Sequence, residues 1–385
     1  MGGAFYLSWQ HLRHHRGRSL LIAACMALTM YLPMGMQIVS HRFQTTMARR
    51  ASLTPLVVGA QGSQFDLVLH ALYFRNRVDT AVDMQQVARI QESDLATAIP
   101  LLIRFQAEGE HIVGTTPKYF DLRALKPSTG TLPKRWGDCV LGANVAKRLK
   151  LGVGDSLLSE PENLFDLAGP SPLKMRVSGV LEQQFTADDD AIFVDIETTW
   201  IIQGIGHGHK PTKPKPEGGD EHIVDGARVT AFVEVTDDNV GSFHFHGNRD
   251  EFPVTAILAI PRDEKSQAIL EGRYLEQDET AQILLPSEVV DELFQVVFQV
   301  ERLIYAATAL LALTTLALIL QVMLLSFRLR REEMKTMTLL GCSRGMIAKL
   351  YASDFALLIL MAAVGAGCLL IPTSIFSGEL INQLM

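Results

Sequence analysis

Long apolar runs constrain this chain more than any other feature of its sequence. Three of them are predicted transmembrane helices, at residues 19–40, 303–327 and 353–372. A helix needs roughly 20 apolar residues to cross the hydrocarbon core of a bilayer, and the first two runs reach that length without a charge. The alternative for each run is a buried helix in a domain core. A chain that is 48% hydrophobic favours the membrane.

The first forty residues are predicted to form a membrane anchor. The run at 19–40 begins too late, and is too long, for a cleaved signal peptide, and its end does not fit an A-x-A cleavage site. Ahead of it, residues 1–18 place Phe5, Trp9 and Leu12 on one helical face. This pattern predicts an amphipathic helix lying on the inner leaflet. A disordered basic tail is the alternative.

The distribution of basic residues predicts the orientation. Residues 1–18 and 328–352 are rich in Lys and Arg, and such segments face the cytoplasm. We therefore place the N-terminus and residues 328–352 inside, and the acidic segment 41–302 outside. The opposing evidence is a group of arginines that follows the first run: Arg42, Arg49 and Arg50.

The outside segment, residues 41–302, is predicted to be a mixed α+β domain. Residues 101–105, 111–113, 174–181, 191–195 and 254–260 have the β-branched content of strands, and residues 144–151 and 286–304 have a helical period. Residues 65–74 fit either helix or strand. Residues 205–222 are rich in Gly, Pro and Lys and predict a loop. Cys139 is the one cysteine in this domain, so its core must hold without an internal disulfide.

The sequence does not indicate an enzyme. A Walker A pattern is absent, so this chain has no phosphate cradle of that kind. No Ser/His/Asp or Cys/His grouping has a recognisable catalytic spacing. We therefore expect no catalytic residues and no cofactor in this chain, and nothing indicates nucleic-acid binding.

The basic segment between the second and third apolar runs carries the most specific motif. Its residues from Arg331 to Ser343, REEMKTMTLLGCS, resemble the R-R-E-I-x-x-x-R-x-L-G-A-S signature of the MacB/FtsX/LolC family of ABC transporter permeases. Arg331, Glu333, Leu340, Gly341 and Ser343 match it. In that family this segment is the coupling helix that docks on the ATPase subunit. The resemblance implies a coupling set: Arg331, Glu333, Met334, Met337, Leu340, Gly341 and Ser343.

Weaker resemblances to the same family follow in the expected order along the chain. They are Leu7–Leu21, Leu56–Ser63, Val113–Phe120, Cys139–Ala146 with Leu151–Asp155, and Val177–Leu181. The family implies a large outer domain between the first two transmembrane helices. It normally has four such helices, whereas three are predicted here, followed by a short tail at residues 373–385.

The resemblance also implies a function, a location and partners. It identifies the chain as the permease subunit of an ABC transporter in the bacterial inner membrane. A cytoplasmic ATPase would bind and hydrolyse the ATP, a second permease subunit would complete the transporter, and membrane lipid and a periplasmic partner are further expected contacts. The cargo classes left open include lipoprotein, lipid, peptide and drug. The alternative is a membrane-anchored outer domain that binds or senses a ligand.

Histidines are concentrated in one part of the outer domain. They are His207, His209, His222, His244 and His246. Imidazoles at H-x-H spacing suit Zn²⁺, which predicts a zinc site. The alternative is a hydrophilic loop whose histidines bind nothing.

Overall fold

The computed structural model describes residues 2–161, 170–208, 232–277, 280–329, 336, 339, 341 and 343–384. They divide into two compact units. The helical unit is Met1–Met47 with Glu292–Leu384, and the sheet unit is Ala48–Asp291. The helices, in chain order, are α1 (Gly2–His14), α2 (Arg16–Ser52), α3 (Gln64–Tyr73), α4 (Met84–Glu92), α5 (Pro117–Arg123), α6 (Ala143–Leu149), α7 (Ile196–Ile202), α8 (Glu264–Gln277), α9 (Pro286–Leu329) and α10 (Arg344–Leu384).

Two of the described helices are long and apolar enough to cross a membrane. The qualifying segments are Ser19–Ser52 in α2 and Gly345–Ile375 in α10. The predicted span at 303–327 lies within α9, whose described apolar stretch, Arg302–Ala317, is shorter. The count of three spans therefore stays a prediction. Helix α9 runs without a break from Pro286, as the helical period of residues 286–304 predicts.

Small and polar side chains hold the helical unit together. Ala27 of α2 packs with Ala362 and Ala366 of α10, because residues of this size let two helix backbones approach closely. Helix α1 lies against the start of α10, where Ser8 is buried and hydrogen-bonds Ser353. The N-terminal helix therefore forms as predicted, and it leaves Trp9 half exposed.

The sheet unit is built on one mixed β-sheet, which confirms the predicted mixed α+β class. The described strands, in chain order, are β1 (Leu56–Ala60), β2 (Val82–Asp83), β3 (Ala96–Ala107), β4 (Glu110–Thr115), β5 (Pro127–Gly130), β6 (Asp138–Leu141), β7 (Ser156–Leu158), β8 (Leu173–Leu181), β9 (Ala191–Asp195), β10 (Gly206–Gly208), β11 (Val233–Glu234), β12 (Phe243–Phe245), β13 (Pro253–Val254), β14 (Ala256–Pro261) and β15 (Ala281–Leu284).

Eleven of the described strands belong to that sheet. Its order is β11-β8-β6-β9-β4-β3-β14-β1-β15, with β5 and β7 also paired to β8. The pairs β4–β9, β6–β8 and β8–β11 are parallel and the other pairs are antiparallel. Strands β1 and β15, which adjoin the long helices α2 and α9 in sequence, are therefore neighbours at one edge.

Apolar side chains are buried on both faces of the central strands: Leu56, Ile112 and Ile257 belong to one core cluster, and the residues that follow each of them in sequence point to the opposite face and are equally buried. Val57, Ile99, Val113, Phe193 and Leu258 are fully buried or nearly so, which is why central strands read as continuous apolar runs. The stretch that fitted either helix or strand is helix α3. Two local signals decide it: Ser63 caps its N-terminus by accepting a hydrogen bond from Asp66 N, and Phe74 ends it in the left-handed conformation.

Candidate functional site

The predicted coupling segment ends in a turn that is described at Gly341 and Ser343. Gly341 has φ 92°, a left-handed conformation that glycine adopts without the steric cost of a side chain. Two residues later, Ser343 accepts a hydrogen bond from Met346 N at 3.3 Å through its hydroxyl oxygen. Helix α10 begins at the next residue. The Leu-Gly-x-Ser sequence therefore ends one segment and starts the following helix, as a glycine turn and a serine cap do.

Most of the coupling set lies outside the described residues: Arg331, Glu333, Met334, Met337 and Leu340. Between them, Leu339 is described, and its side chain is 88% exposed. A leucine this exposed is available to a partner surface. The coupling set predicted from the sequence contains Met334, Met337 and Leu340, and Leu339 was not singled out.

Three of the five predicted zinc ligands come together in the sheet unit. Strands β10 and β12 form a two-stranded antiparallel ribbon in which His207 is directly opposite His244. His246 follows two residues after His244, so it projects from the same face. The predicted loop at 205–222 is thus wrong for Gly206–Gly208, which is strand β10. His209 and His222 lie outside the described residues.

The three imidazoles are in contact with one another. The ring centroid of His207 lies 4.8 Å from those of His244 and His246, and these two are 4.7 Å apart. One ring nitrogen from each residue lies within 4.8 Å of the others. His207 and His246 are exposed and His244 is half-buried, so an ion can reach the cluster from solvent.

A buried ion pair at the end of α2 was not predicted. Arg50, in the last turn of that helix, donates two hydrogen bonds to the Asp188 carboxylate, at 2.6 and 2.9 Å. The Tyr119 hydroxyl donates a third to Asp188, at 2.7 Å. All three side chains are buried within the sheet unit. Two aromatic rings, those of Tyr73 and Phe74, lie 5.8 and 5.6 Å from the guanidinium carbon.

The electrostatics of this pair follow from its burial. Desolvation alone would raise the pKa of the Asp188 carboxyl, but the charge and hydrogen bonds of Arg50 outweigh it and lower that pKa below its usual value. Burial likewise raises the pKa of the Tyr119 hydroxyl above its usual value, so this group stays protonated and keeps donating. The positive charge of Arg50 was evidence against the predicted orientation, but in the structure the Asp188 carboxylate neutralises that charge.

The loop that presents Asp188 is itself fixed. Asp189 accepts backbone hydrogen bonds from Gln184, Phe185 and Thr186, and Thr186 donates its hydroxyl to Asp188 at 3.2 Å. The run Thr186-Ala-Asp-Asp189 is a capping-box pattern, which a sequence reading could have found. Its pairing with a residue 138 positions earlier could not be read from any local pattern.

Comparison with solved structures gives matches of low similarity, among them the following three, and no curated protein matches. The periplasmic region of MacB from Actinobacillus actinomycetemcomitans is 12% identical, has a TM-score of 0.36, and covers 63% of this chain and 92% of that one. The extracellular domain of the ABC-type transporter YknZ from Gram-positive bacteria is 9% identical (TM-score 0.33; 60% of this chain, 98% of that chain). A domain of a putative permease protein from Porphyromonas gingivalis is 13% identical (TM-score 0.28; 60% and 86%).

The family is shown by a match of sequence and not by these structures. The sequence model of the family described as MacB-like periplasmic core domain matches residues 19–238, more than half of the chain. That range holds the apolar run at 19–40 and the strands from β1 to β11. It confirms the resemblance found in the motifs. The chain belongs to the MacB/FtsX-type family of ABC transporter permeases.

Proposed function

We propose that this chain is the permease subunit that couples ATP hydrolysis by a separate cytoplasmic ATPase to motion of its sheet unit outside the membrane. The observation that carries the proposal is the pairing of β1 with β15. These strands connect the sheet to the two long helices, α2 before β1 and α9 after β15. Their register places Val57 opposite Leu284, close to both connections.

That pairing gives the two helices a shared point of attachment. Helix α2 ends at Ser52, four residues before β1 begins, and α9 begins at Pro286, two residues after β15 ends. A displacement of either helix is therefore delivered to two strands that are hydrogen-bonded to each other. Because β1 also pairs with β14, the displacement continues into the central sheet.

The Arg50–Asp188 pair supports the proposal at the α2 end of the short connection between α2 and β1. It fixes the last turn of α2 to the loop before β9, so that turn cannot move independently of the sheet. A bidentate contact between a guanidinium and a carboxylate also fixes orientation, which a single hydrogen bond does not. Movement of α2 is thus expected to reposition β9 as well as β1.

At the inner end, the coupling set supplies the contact with the ATPase. Arg331 and Glu333 offer charge, Met334, Met337 and Leu340 offer apolar surface, and Gly341 and Ser343 make the turn into α10. Leu339, whose side chain is exposed, adds to the apolar surface. The catalytic residues for ATP hydrolysis belong to the partner.

The proposed assembly has two permease subunits and two ATPases in the bacterial inner membrane. The N-terminus and residues 328–352 face the cytoplasm, and the residues at 303–327 form the middle one of three membrane spans. Neutralisation of Arg50 supports this orientation, because a paired charge no longer opposes the basic segments on the inner side.

The test is co-expression with a candidate cytoplasmic ABC ATPase, chosen from the genes that neighbour that of the permease. The variant M337A/L340A, and separately E333A, should lower both recovery of the ATPase with the permease and its stimulation. L275A is the control, because Leu275 is an exposed leucine that belongs to α8 of the sheet unit. Unchanged ATPase binding and stimulation in both variants would refute the coupling role.

A second candidate function is a membrane-anchored binding module, and the histidine cluster is the observation that favours it. In that function the cytoplasmic segment only anchors the chain. The same co-expression experiment separates the two, since a pure binding module retains no ATPase at all.

A further inference from the structure

We propose that His207, His244 and His246 bind a divalent transition-metal ion on the sheet unit. Among the described residues, they are the one group of three or more His, Cys, Asp or Glu whose ligand atoms converge. Imidazole nitrogen is a preferred ligand of Zn²⁺, Cu²⁺ and Ni²⁺, whereas Mg²⁺ and Ca²⁺ prefer oxygen. The site is independent of the proposed ATPase coupling.

The ribbon that carries the histidines has two chemically different faces. On one face lie the three imidazoles, and on the other lie the rings of Phe243 and Phe245. Each ring covers a glycine of β10: a Cβ on Gly208 would lie 2.5 Å from the Phe243 ring, and one on Gly206 would lie 2.6 Å from the Phe245 ring. The glycines let the phenyl rings pack closely against β10. Because side chains alternate along a strand, the histidine side chains lie on the opposite face.

The aromatic face fixes the ribbon to the core. The Phe245 ring lies 5.5 Å from that of Trp136, 6.2 Å from that of Trp200 and 6.0 Å from that of Phe252, all measured between centroids. Trp200 is fully buried and donates its indole N–H to Pro253 O. The backbone that carries the histidines is therefore held in place by the core. Little conformational entropy is then lost when an ion draws the three imidazole rings together.

One of the three ligands already has the hydrogen bond that metal-binding histidines usually make. The Nδ1 atom of His244 lies 3.2 Å from the carbonyl oxygen of Ser242. With the proton on Nδ1 that nitrogen donates to the carbonyl, and Nε2 then carries the lone pair that a metal needs. A backbone carbonyl in this role fixes both the tautomer and the orientation of the ring.

The distances suit an ion the size of Zn²⁺. Nitrogens about 2.1 Å from one zinc ion in tetrahedral geometry lie roughly 3.4 Å from each other. The present nitrogens lie within 4.8 Å, so the exposed His207 and His246 side chains have to rotate to reach that spacing. Three protein ligands leave a fourth position for water or for an exchangeable ligand.

The experiment uses the full-length permease in detergent, purified without a polyhistidine tag and stripped of metal. Zn²⁺ is titrated against a chromogenic chelator that reports free metal. The wild type should bind one tight ion per chain. H207N and H246N should each weaken that site by at least about tenfold, because loss of even an outer-shell partner of a ligand typically costs about that much. Both residues are exposed, so neither variant should change the thermal midpoint of the metal-free protein.

The matched control is H14N/H15N, because those two rings lie 4.9 Å apart but do not belong to the converging group. It should leave the tight site unchanged, and so should H209N/H222N. The proposal is overturned if the wild type binds no ion tightly, if H207N and H246N bind like the wild type, or if only H209N/H222N abolishes the site. Displacement of the bound Zn²⁺ by Mg²⁺ at a similar concentration would also contradict the proposal.

Discussion

The guanidinium of Arg50 and the carboxylate of Asp188 meet where solvent reaches neither of them. Removing two charges from water is expensive, and their attraction repays that cost only when the geometry is good and the other polar atoms are satisfied. Here the two charged side chains share two hydrogen bonds, and Tyr119 provides a third to the carboxylate. The pair therefore fixes one arrangement of the α2 terminus and penalises any other.

At the scale of this residue pair we expect D188N to destabilise the sheet unit strongly. It leaves the Arg50 charge buried without an opposite charge, which typically costs about 3–5 kcal/mol. The measurement is thermal and denaturant unfolding of the full-length protein in detergent. D190N is the control: Asp190 pairs with Arg148, which is half exposed, so its loss should cost about 1 kcal/mol or less. Equal stability of D188N and D190N would contradict the role given to the buried pair.

The same pair predicts a pH dependence. The pKa of Asp188 is lowered in the folded state, so its contribution is present above the unfolded-state pKa and is lost as pH falls through the folded value. The stability difference between wild type and D188N should therefore be constant near neutrality and shrink below about pH 4, the usual value of an aspartate. Unfolding midpoints across that range measure it, and a difference that stays constant in acid would be inconsistent with a charged Asp188.

At the scale of elements, the packing of the short ribbon β10–β12 depends on its two glycines, Gly206 and Gly208. A Cβ at Gly208 would overlap the Phe243 ring, so alanine there must displace the ring or the strand. Strand displacement moves His207 away from His244, although every histidine is still present.

We accordingly expect G208A to weaken zinc binding several-fold, measured in the same chelator competition. G241A is the matched control in the same segment, since a Cβ on Gly241 meets nothing within 4 Å. Zinc affinity that is unchanged in G208A would mean that the ribbon does not position the ligands.

The sequence predicted the helices and strands better than it predicted the contacts between them. The apolar runs, the strands at residues 101–105 and 174–181, and the helix running on from Pro286 all follow from local patterns, and the structure has them. The histidines were singled out by their spacing, and three of them do meet. Which three could not be known, because that depends on the register of two strands 35 residues apart in the chain.

Longer-range partners were beyond any local pattern. Arg50 was interpreted as a flanking charge, since nothing near it in the sequence indicates Asp188. The pairing of β1 with β15 joins segments more than 220 residues apart, so it follows from the assembled sheet and not from either strand. The roles of Arg331, Glu333, Met337 and Leu340 in coupling stay predictions.

At the scale of the whole molecule, the account requires that nucleotide state inside changes the sheet unit outside. Two continuous helices, α2 and α9, lead to paired strands at one edge of the sheet. Among the described residues, the backbone passes from one unit to the other after Met47 and after Asp291. A motion that is carried along the backbone therefore passes through residues 48–60 and 281–291.

Hydrogen–deuterium exchange on the reconstituted permease and ATPase measures that transmission directly. Exchange is compared between nucleotide-free complex and complex trapped with ATP by a hydrolysis-deficient ATPase. We predict that amide protection changes at residues 50–60 and 281–285, while β7, which is paired to β8 near the opposite edge of the sheet, stays the same. If the ATPase is bound and trapped yet exchange at both segments is identical in the two states, the central claim is contradicted.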